Sequence, residues 1–223
     1  MELELQHKTV FITGSTSGIG FALAEGFLKE GAKVFINGRT QTSVDKAIVA
    51  LKKLVSDAEV SGIAANFKNE NAIEIIKNAL PQVDILINNV GIFSSKLFEE
   101  TTDSDWQEMF QVNVMSSVRL SRLFLPKMIA QNWGRILFVS SECAQLVPAD
   151  LIAYSTTKAA LLSISRGLAQ TTKGTKVTVN SIIPGSTLTD GARNFLKDQA
   201  SKNTKTETEG ADDFFKTDRS SSL

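Results

Sequence analysis

Apolar positions along the chain fall into two alternating patterns. KTVFIT (8–13), AKVFING (32–38), VDILINN (83–89) and GRILFVSS (134–141) are short and nearly continuous apolar runs. VSGIAAN (60–66) is a weaker example and KVTVNSIIPG (176–185) is the last. Runs of this kind predict strands covered on both faces. The intervening segments carry helical spacing. GIGFALAEGFLKEG (18–31) ends on Gly31, a natural stop. TQTSVDKAIVALKKL (40–54) opens with a cap and places Val44, Ile48, Leu51 and Leu54 on one face. ENAIEIIKNAL (70–80) is closed by Pro81. A long helical region spans about 103–132, with an interruption expected near Pro126, and a further helix covers 153–174.

Six strands separated by helices imply a parallel sheet with helices on both sides. The fold class is therefore α/β: a doubly wound, Rossmann-like parallel sheet in three α/β/α layers. Residues 1–196 are expected to form this dinucleotide-binding domain. Residues 197–223 break the pattern, being rich in charge and poor in large apolar side chains. They are expected to be a mobile or loosely packed polar tail, in which Phe214 and Phe215 are the only large apolar pair.

Composition narrows the class. Hydrophobic residues make up 42% of the 223 and charged residues 22%, an ordinary globular balance. Lys+Arg and Asp+Glu are both 24, so no net charge favours nucleic acid or an acidic membrane, and neither is expected as a partner. With one cysteine, Cys143, no intrachain disulfide can form, and a reducing, cytoplasmic setting is expected. MELELQHKTV lacks the basic start and apolar run of a signal peptide. No apolar stretch approaches the ~20 residues that cross a bilayer.

Candidate chemistry lies at the ends of the strands. TGSTSGIG (13–20) follows the first strand and opens the first helix. There Gly14 suits a tight turn, Gly18 a close backbone approach and Gly20 close helix packing, with the helix N-terminus offering N–H groups to a pyrophosphate. The spacing is G-x-x-x-G-x-G rather than G-x-G-x-x-G, and a Gly/Ser-rich turn is the plain alternative. The second strand ends Asn37-Gly38-Arg39, with no acid to bind a ribose 2′-hydroxyl. Arg39 could hold a 2′-phosphate instead, or be a solvated surface arginine. This favours NADP(H), with NAD(H) possible.

The sole tyrosine, Tyr154, stands four residues before Lys158 in YSTTK. On a helix the two share a face. A nearby ammonium is expected to lower the phenol pKa and fit it for proton exchange. By itself the spacing is also that of an exposed helix pair. Ser141 closes the fifth strand, and Asn88-Asn89 ends the fourth in NNVG, both at the edge where such sheets bind ligands. Asn113 lies in a helical stretch, where a kink holding a water would account for it. His7, Trp106 and Trp133 read as surface or packing residues, and Cys143 as a pocket-lining residue without a catalytic partner.

Together TGSTSGIG, NNVG, Asn113, Ser141, YSTTK and PGSTLT (184–189) resemble the short-chain dehydrogenase/reductase family in order and spacing, over about residues 8–190. Within it the sequence looks nearest to 3-oxoacyl-carrier-protein-reductase-like members. The resemblance implies NAD(P)-dependent hydride transfer to or from a small-molecule or acyl-chain carbonyl/alcohol substrate. It implies Tyr154 as acid/base, Lys158 as its activator and ribose anchor, Ser141 orienting the substrate oxygen, and Asn113 positioning a relay water. It implies a cofactor site of Gly14, Ser15, Ser17, Gly18, Ile19, Gly20, Arg39, Asn66, Phe67, Asn89, Gly91, Tyr154, Lys158, Pro184, Gly185, Thr187 and Thr189, and no metal. It also implies a homodimer through the long helices. Two departures stand out. Val90 replaces the family's usual alanine. After Thr189 there is no pattern for the family's usual seventh strand, so the sixth is expected at an open edge, tetramer contacts are expected to be reduced, and a C-terminally truncated chain is expected. A catalytically impaired, cofactor-binding relative is the second reading.

Overall fold

The computed structural model describes residues 3–187 together with Thr189 and Lys197. Apart from Lys197, the segment expected to form a mobile tail lies outside the described residues. The elements run β1 (Thr9–Ile12), α1 (Gly18–Lys29), β2 (Lys33–Gly38), α2 (Gln41–Leu54), β3 (Val60–Ala64), α3 (Ala72–Ala79) and β4 (Ile85–Asn88). A short 3-10 turn at Phe98–Glu100 precedes α4 (Asp103–Met109), which passes through a π-helical turn (Phe110–Met115) into α5 (Ser116–Ala130). Then follow β5 (Gly134–Val139), α6 (Cys143–Leu146), α7 (Ile152–Thr171) and β6 (Val177–Ile182).

All six strands are parallel, in the order β3-β2-β1-β4-β5-β6. Ile12 at the end of β1 pairs with Ile36 of β2 on one side and Ile87 of β4 on the other. The chain winds outward from β1 to β3, then crosses back to place β4 beside β1. The crevice between the loops that leave β1 and β4 is thus the point where the winding reverses, where ligands bind in such sheets. Among the described residues there is no seventh strand, and β6 pairs with β5 alone.

Alternate side chains of the strands feed two cores, as the two-residue period requires. Phe11, Leu86, Ile136 and Phe138 pack against Ile76 of α3, Leu120, Phe124 and Met128 of α5, and Leu161 of α7. Val10, Ile12, Val34, Ile36, Ile85 and Ile87 pack against Ala24 and Leu28 of α1 and Val44 and Leu51 of α2. Because both faces are buried, the strands read as runs rather than as alternation.

Three local readings are corrected. In α2 the buried face is Val44, Ala47 and Leu51, while Leu54 at the helix end is exposed. The long helical region does not break at Pro126, which lies inside α5; its irregularity is the π turn at Phe110–Met115. The four-residue α6 was not foreseen. Thr40 accepts from Ser43 N (3.2 Å) at the start of α2. Thr102 and Asp105 form a reciprocal capping box at the start of α4, where Asp105 also holds Lys96 at 2.9 Å.

Candidate active site

The turn between β1 and α1 is built from the backbone outward. Gly14 and Gly18 adopt φ of 60° and 58°, the left-handed region that side chains avoid. Gly20 is needed for closeness: a Cβ there would stand 2.6 Å from both Gly14 O and Asn89 Nδ2. The turn is then braced from β4. Asn89 Nδ2 donates to Thr13 O (2.8 Å) and Gly14 O (2.9 Å). The backbone N–H groups of Asn89 and Val90 both donate to Thr13 Oγ1 at 2.9 Å.

A residue the sequence reading passed over braces it from β2. Asn37 is buried, and its Oδ1 accepts from Gly14 N (3.1 Å) while its Nδ2 donates to Ile63 O (3.0 Å) and Ala65 O (3.1 Å). The turn after β1 and the ends of β2 and β3 are thereby joined through one amide. An asparagine inside an apolar run was the available signal, because a buried amide must be satisfied. Ser15 lies behind the turn: its hydroxyl donates to Ile12 O (2.6 Å) and accepts from Asn37 N (2.9 Å). It lines neither cavity described below, whereas Thr16 and Ser17 do.

Two adjoining cavities follow the C-terminal ends of the strands and share Ser17, Asn89 and Gly91. The larger, about 640 Å³, is bounded by Gly14, Thr16 and Ser17 of the turn, by Gly38, Arg39, Thr40 and Ser43 after β2, and by Asn66 and Phe67 after β3. Val90, larger than the alanine expected there, also lines it. The smaller, about 290 Å³, gathers Gly18, Ile19 and Gly20 on one side and Ser141, Tyr154 and Lys158 on another. Pro184, Gly185, Thr187 and Thr189 form its outer wall.

The smaller cavity holds the titratable groups. Lys158 is 4% exposed, and its Nζ donates to Val139 O at 2.8 Å and lies 5.6 Å from the Tyr154 ring centre. Burial pushes its pKa from 10.5 down to about 8. Tyr154 is hydrogen-bonded to Ser141, and its ring packs 5.8 Å from that of Phe93. The expected lowering of the phenol pKa is corrected. Burial raises it from 10.0 to about 12; the Ser141 bond opposes this, and Cys143 and Glu142 add to it. Desolvation is the largest cause, and the Lys158 ammonium donates to the Val139 carbonyl. Ser140, past the end of β5, also lines this cavity, and its hydroxyl donates to Lys158 O (2.8 Å). Cys143 is buried and does not line the cavity.

Asn113 sits in the π turn and is buried. Its Oδ1 accepts from Ile92 N (2.8 Å), and its Nδ2 donates to Ile92 O (2.9 Å) and Thr157 Oγ1 (3.0 Å). It thus fastens the loop after β4 to α7, one residue before Lys158. Gly91 keeps the space between them open: a Cβ there would lie 3.3 Å from Lys158 Nζ and 3.6 Å from Asn113 Oδ1. Among the described residues no group of three or more His, Cys, Asp or Glu side chains is placed to hold a metal, and no helix is long and apolar enough to cross a membrane.

Comparison with known proteins bears on this geometry. The family model described as short chain dehydrogenase matches residues 8–200. The protein named "Uncharacterized oxidoreductase YvrD" of Bacillus subtilis is 46% identical over 226 residues, covering 100% of this chain and 85% of that one. The 3-oxoacyl-[acyl-carrier-protein] reductase of Aquifex aeolicus is 37% identical over 85% of this chain and 78% of its own length. Among solved structures, L-sorbose reductase from Gluconobacter frateurii, complexed with NADPH and L-sorbose, superposes with a TM-score of 0.86 at 32% identity. That superposition covers 94% of this chain and 81% of the reductase. The strand order, the glycine turn and these matches agree: this chain belongs to the short-chain dehydrogenase/reductase family of NAD(P)-dependent oxidoreductases.

Proposed function

We propose that this protein is an NADP(H)-preferring oxidoreductase acting on a small-molecule or acyl-chain carbonyl/alcohol pair, with Tyr154 as the acid/base. The observation that carries the reading is the convergence of Ser141, Tyr154 and Lys158 on one cavity that adjoins the glycine turn. The two cavities have the size of small-molecule and cofactor sites. The cradle formed by Gly14, Gly18 and Gly20, which side chains would fill, suits a pyrophosphate beside the N-terminus of α1. Asn66 and Phe67 would hold the adenine end, and Pro184, Gly185, Thr187 and Thr189 would flank the nicotinamide. When bound, the nicotinamide supplies or accepts the hydride.

The chain's own groups handle the proton and the orientation. With a pKa near 12, the Tyr154 phenol is protonated at neutral pH and is placed to donate to a carbonyl oxygen. Ser141, already bonded to that phenol, can hydrogen-bond the same oxygen. Lys158 is the sole cation among the described residues lining the smaller cavity, where it can hold ribose hydroxyls and favour phenolate when the reaction runs toward oxidation. Asn113 keeps the loop before Phe93 in register with α7.

NADP preference rests on the end of β2. A Cβ at Gly38 would stand 2.6 Å from Thr16 Cγ2 and 2.8 Å from Ser43 Oγ. An acidic side chain there for a ribose 2′-hydroxyl would need Thr16 and Ser43 to move aside, while Arg39, Thr40 and Ser43 line the same wall. Fluorescence titration with NADPH and NADH tests the reading. Saturable binding that favours NADPH supports it; equal affinities would refute the preference, and binding of neither would refute the function.

A further inference from the structure

Glu142 directly follows Ser141, and its contacts run to three consecutive residues of the loop after β6. Its backbone N–H donates to Pro184 O at 3.0 Å. Its Oε1 accepts from Ser186 Oγ at 2.9 Å. Its Oε2 lies 3.3 Å from where a Gly185 Cβ would stand, so the absence of a side chain at 185 admits the carboxylate. The same turn seats Ser141, whose Oγ accepts from Cys143 N at 3.2 Å. Both loops open onto the smaller cavity, Ser141 from one side and Pro184, Gly185 and Thr187 from the other.

We propose that Glu142 is a positioning residue: it fastens the loop at Pro184–Thr187 to the loop that carries Ser141, so that seating the nicotinamide side of the cofactor and seating Ser141 are one event. This rests on the functional reading above, in which the 184–187 loop flanks the nicotinamide. Neither loop is held by a strand at this point, since β5 ends at Val139 and β6 at Ile182. Past the bond from Ser140 N to Ile182 O at the end of β6, the Glu142 backbone bond and the Glu142 carboxylate tie the two loops together. The carboxylate is the one a substitution can remove. Glu142 itself need not touch substrate or cofactor.

The test measures NADPH affinity by fluorescence titration without substrate, alongside kcat and KM for NADPH and for substrate. Glu142→Ala is expected to weaken NADPH binding about tenfold, the size of losing one hydrogen bond to a charged acceptor. Glu142→Gln keeps an acceptor oxygen for Ser186 and is expected to stay within about threefold of wild type, because a hydrogen bond to a neutral acceptor is weaker but retained. Ser186→Ala, a substitution of an exposed residue that leaves Glu142 in place, is expected to weaken binding in the same direction. The double variant Glu142→Ala/Ser186→Ala is expected to be no worse than the poorer single one. Wild-type affinity in Glu142→Ala or Ser186→Ala, a Gln variant as weak as the Ala variant, or additive losses would each overturn the clamp. Binding of neither nucleotide by the wild-type chain would overturn the functional reading and the clamp together. Undiminished turnover in Tyr154→Phe, with the Glu142 pattern intact, would overturn the acid/base assignment and leave the clamp standing.

Discussion

Replacing Asn37 by alanine tests how the cofactor cleft is held. The side chain is 1% exposed and makes bonds of 3.0–3.1 Å to Gly14 N, Ile63 O and Ala65 O. Truncation leaves one N–H and two carbonyls without this partner in the wall of the larger cavity. An unsatisfied buried group costs about 1–3 kcal/mol. The two carbonyls retain a second lone pair, so the Gly14 N–H is the firmest part of the loss. The expected destabilisation is about 2–4 kcal/mol, which lowers Tm by roughly 5–15 °C for a chain of this size. Thermal unfolding followed by circular dichroism reads it. Asn37→Asp sharpens the argument. It keeps an acceptor for Gly14 N but turns lone pairs toward the Ile63 and Ala65 carbonyls. A buried carboxylate facing carbonyls has its pKa raised, so its protonated form is the stable one in the fold. The unfolded chain then ionises first as pH rises, and stability falls from pH 5 to pH 8. Asn37→Asp should therefore lie closer to wild type at pH 5 than at pH 8. Wild-type stability of Asn37→Asp at pH 8, or a loss below about 1 kcal/mol in Asn37→Ala, would refute the reasoning.

Three further outcomes follow from the site. Tyr154→Phe should lower kcat by at least about 10²-fold, the ordinary worth of a positioned acid, while NADPH titration stays unchanged. Arg39→Ala should weaken NADPH by about 10–100-fold through the loss of charge-assisted bonds to a phosphate and leave NADH untouched; equal losses for both would remove the 2′-phosphate role. Lys158→Met should abolish turnover yet relieve a folding cost. The shift from 10.5 to about 8 corresponds to about 3 kcal/mol against the charged form in the fold. Because the folded pKa lies below the unfolded one, that cost is full below pH 8 and vanishes as pH rises toward 10.5. The Tm of Lys158→Met relative to wild type should accordingly be higher at pH 7 than at pH 10; a difference independent of pH would contradict the burial argument.

The strands themselves were legible because burial on both faces leaves apolar runs such as VFIT and ILIN that no amphipathic helix produces. The π turn was not. Proline is the residue that sequence rules name as a helix breaker, since it lacks the N–H that the carbonyl four residues earlier would bind. Pro126 and Arg122, whose carbonyl is the one left unbonded, are both exposed, so water can satisfy it and α5 continues. The actual irregularity falls on FQVNVM, where no residue is a breaker; it is set by the amide of Asn113 reaching Ile92 and Thr157, partners 21 and 44 positions away. Asn37 was passed over for the same reason, as its partners lie on two other strand ends.

The pair Tyr154 and Lys158 marks the limit most clearly. An i, i+4 spacing places Tyr154 and Lys158 on one helix face, but it says nothing of what that face is pressed against. Whether the lysine lowers the phenol pKa depends on the balance of charge and desolvation, and desolvation is a property of the tertiary structure. Here Lys158 is buried, its ammonium bonds Val139 O, and desolvation raises the phenol instead. A phenol is protonated at neutral pH with a pKa of 10 as with one of about 12, so the rise adds nothing to the donor and opposes its ionisation. That cost comes from what the helix is pressed against rather than from the spacing of two residues.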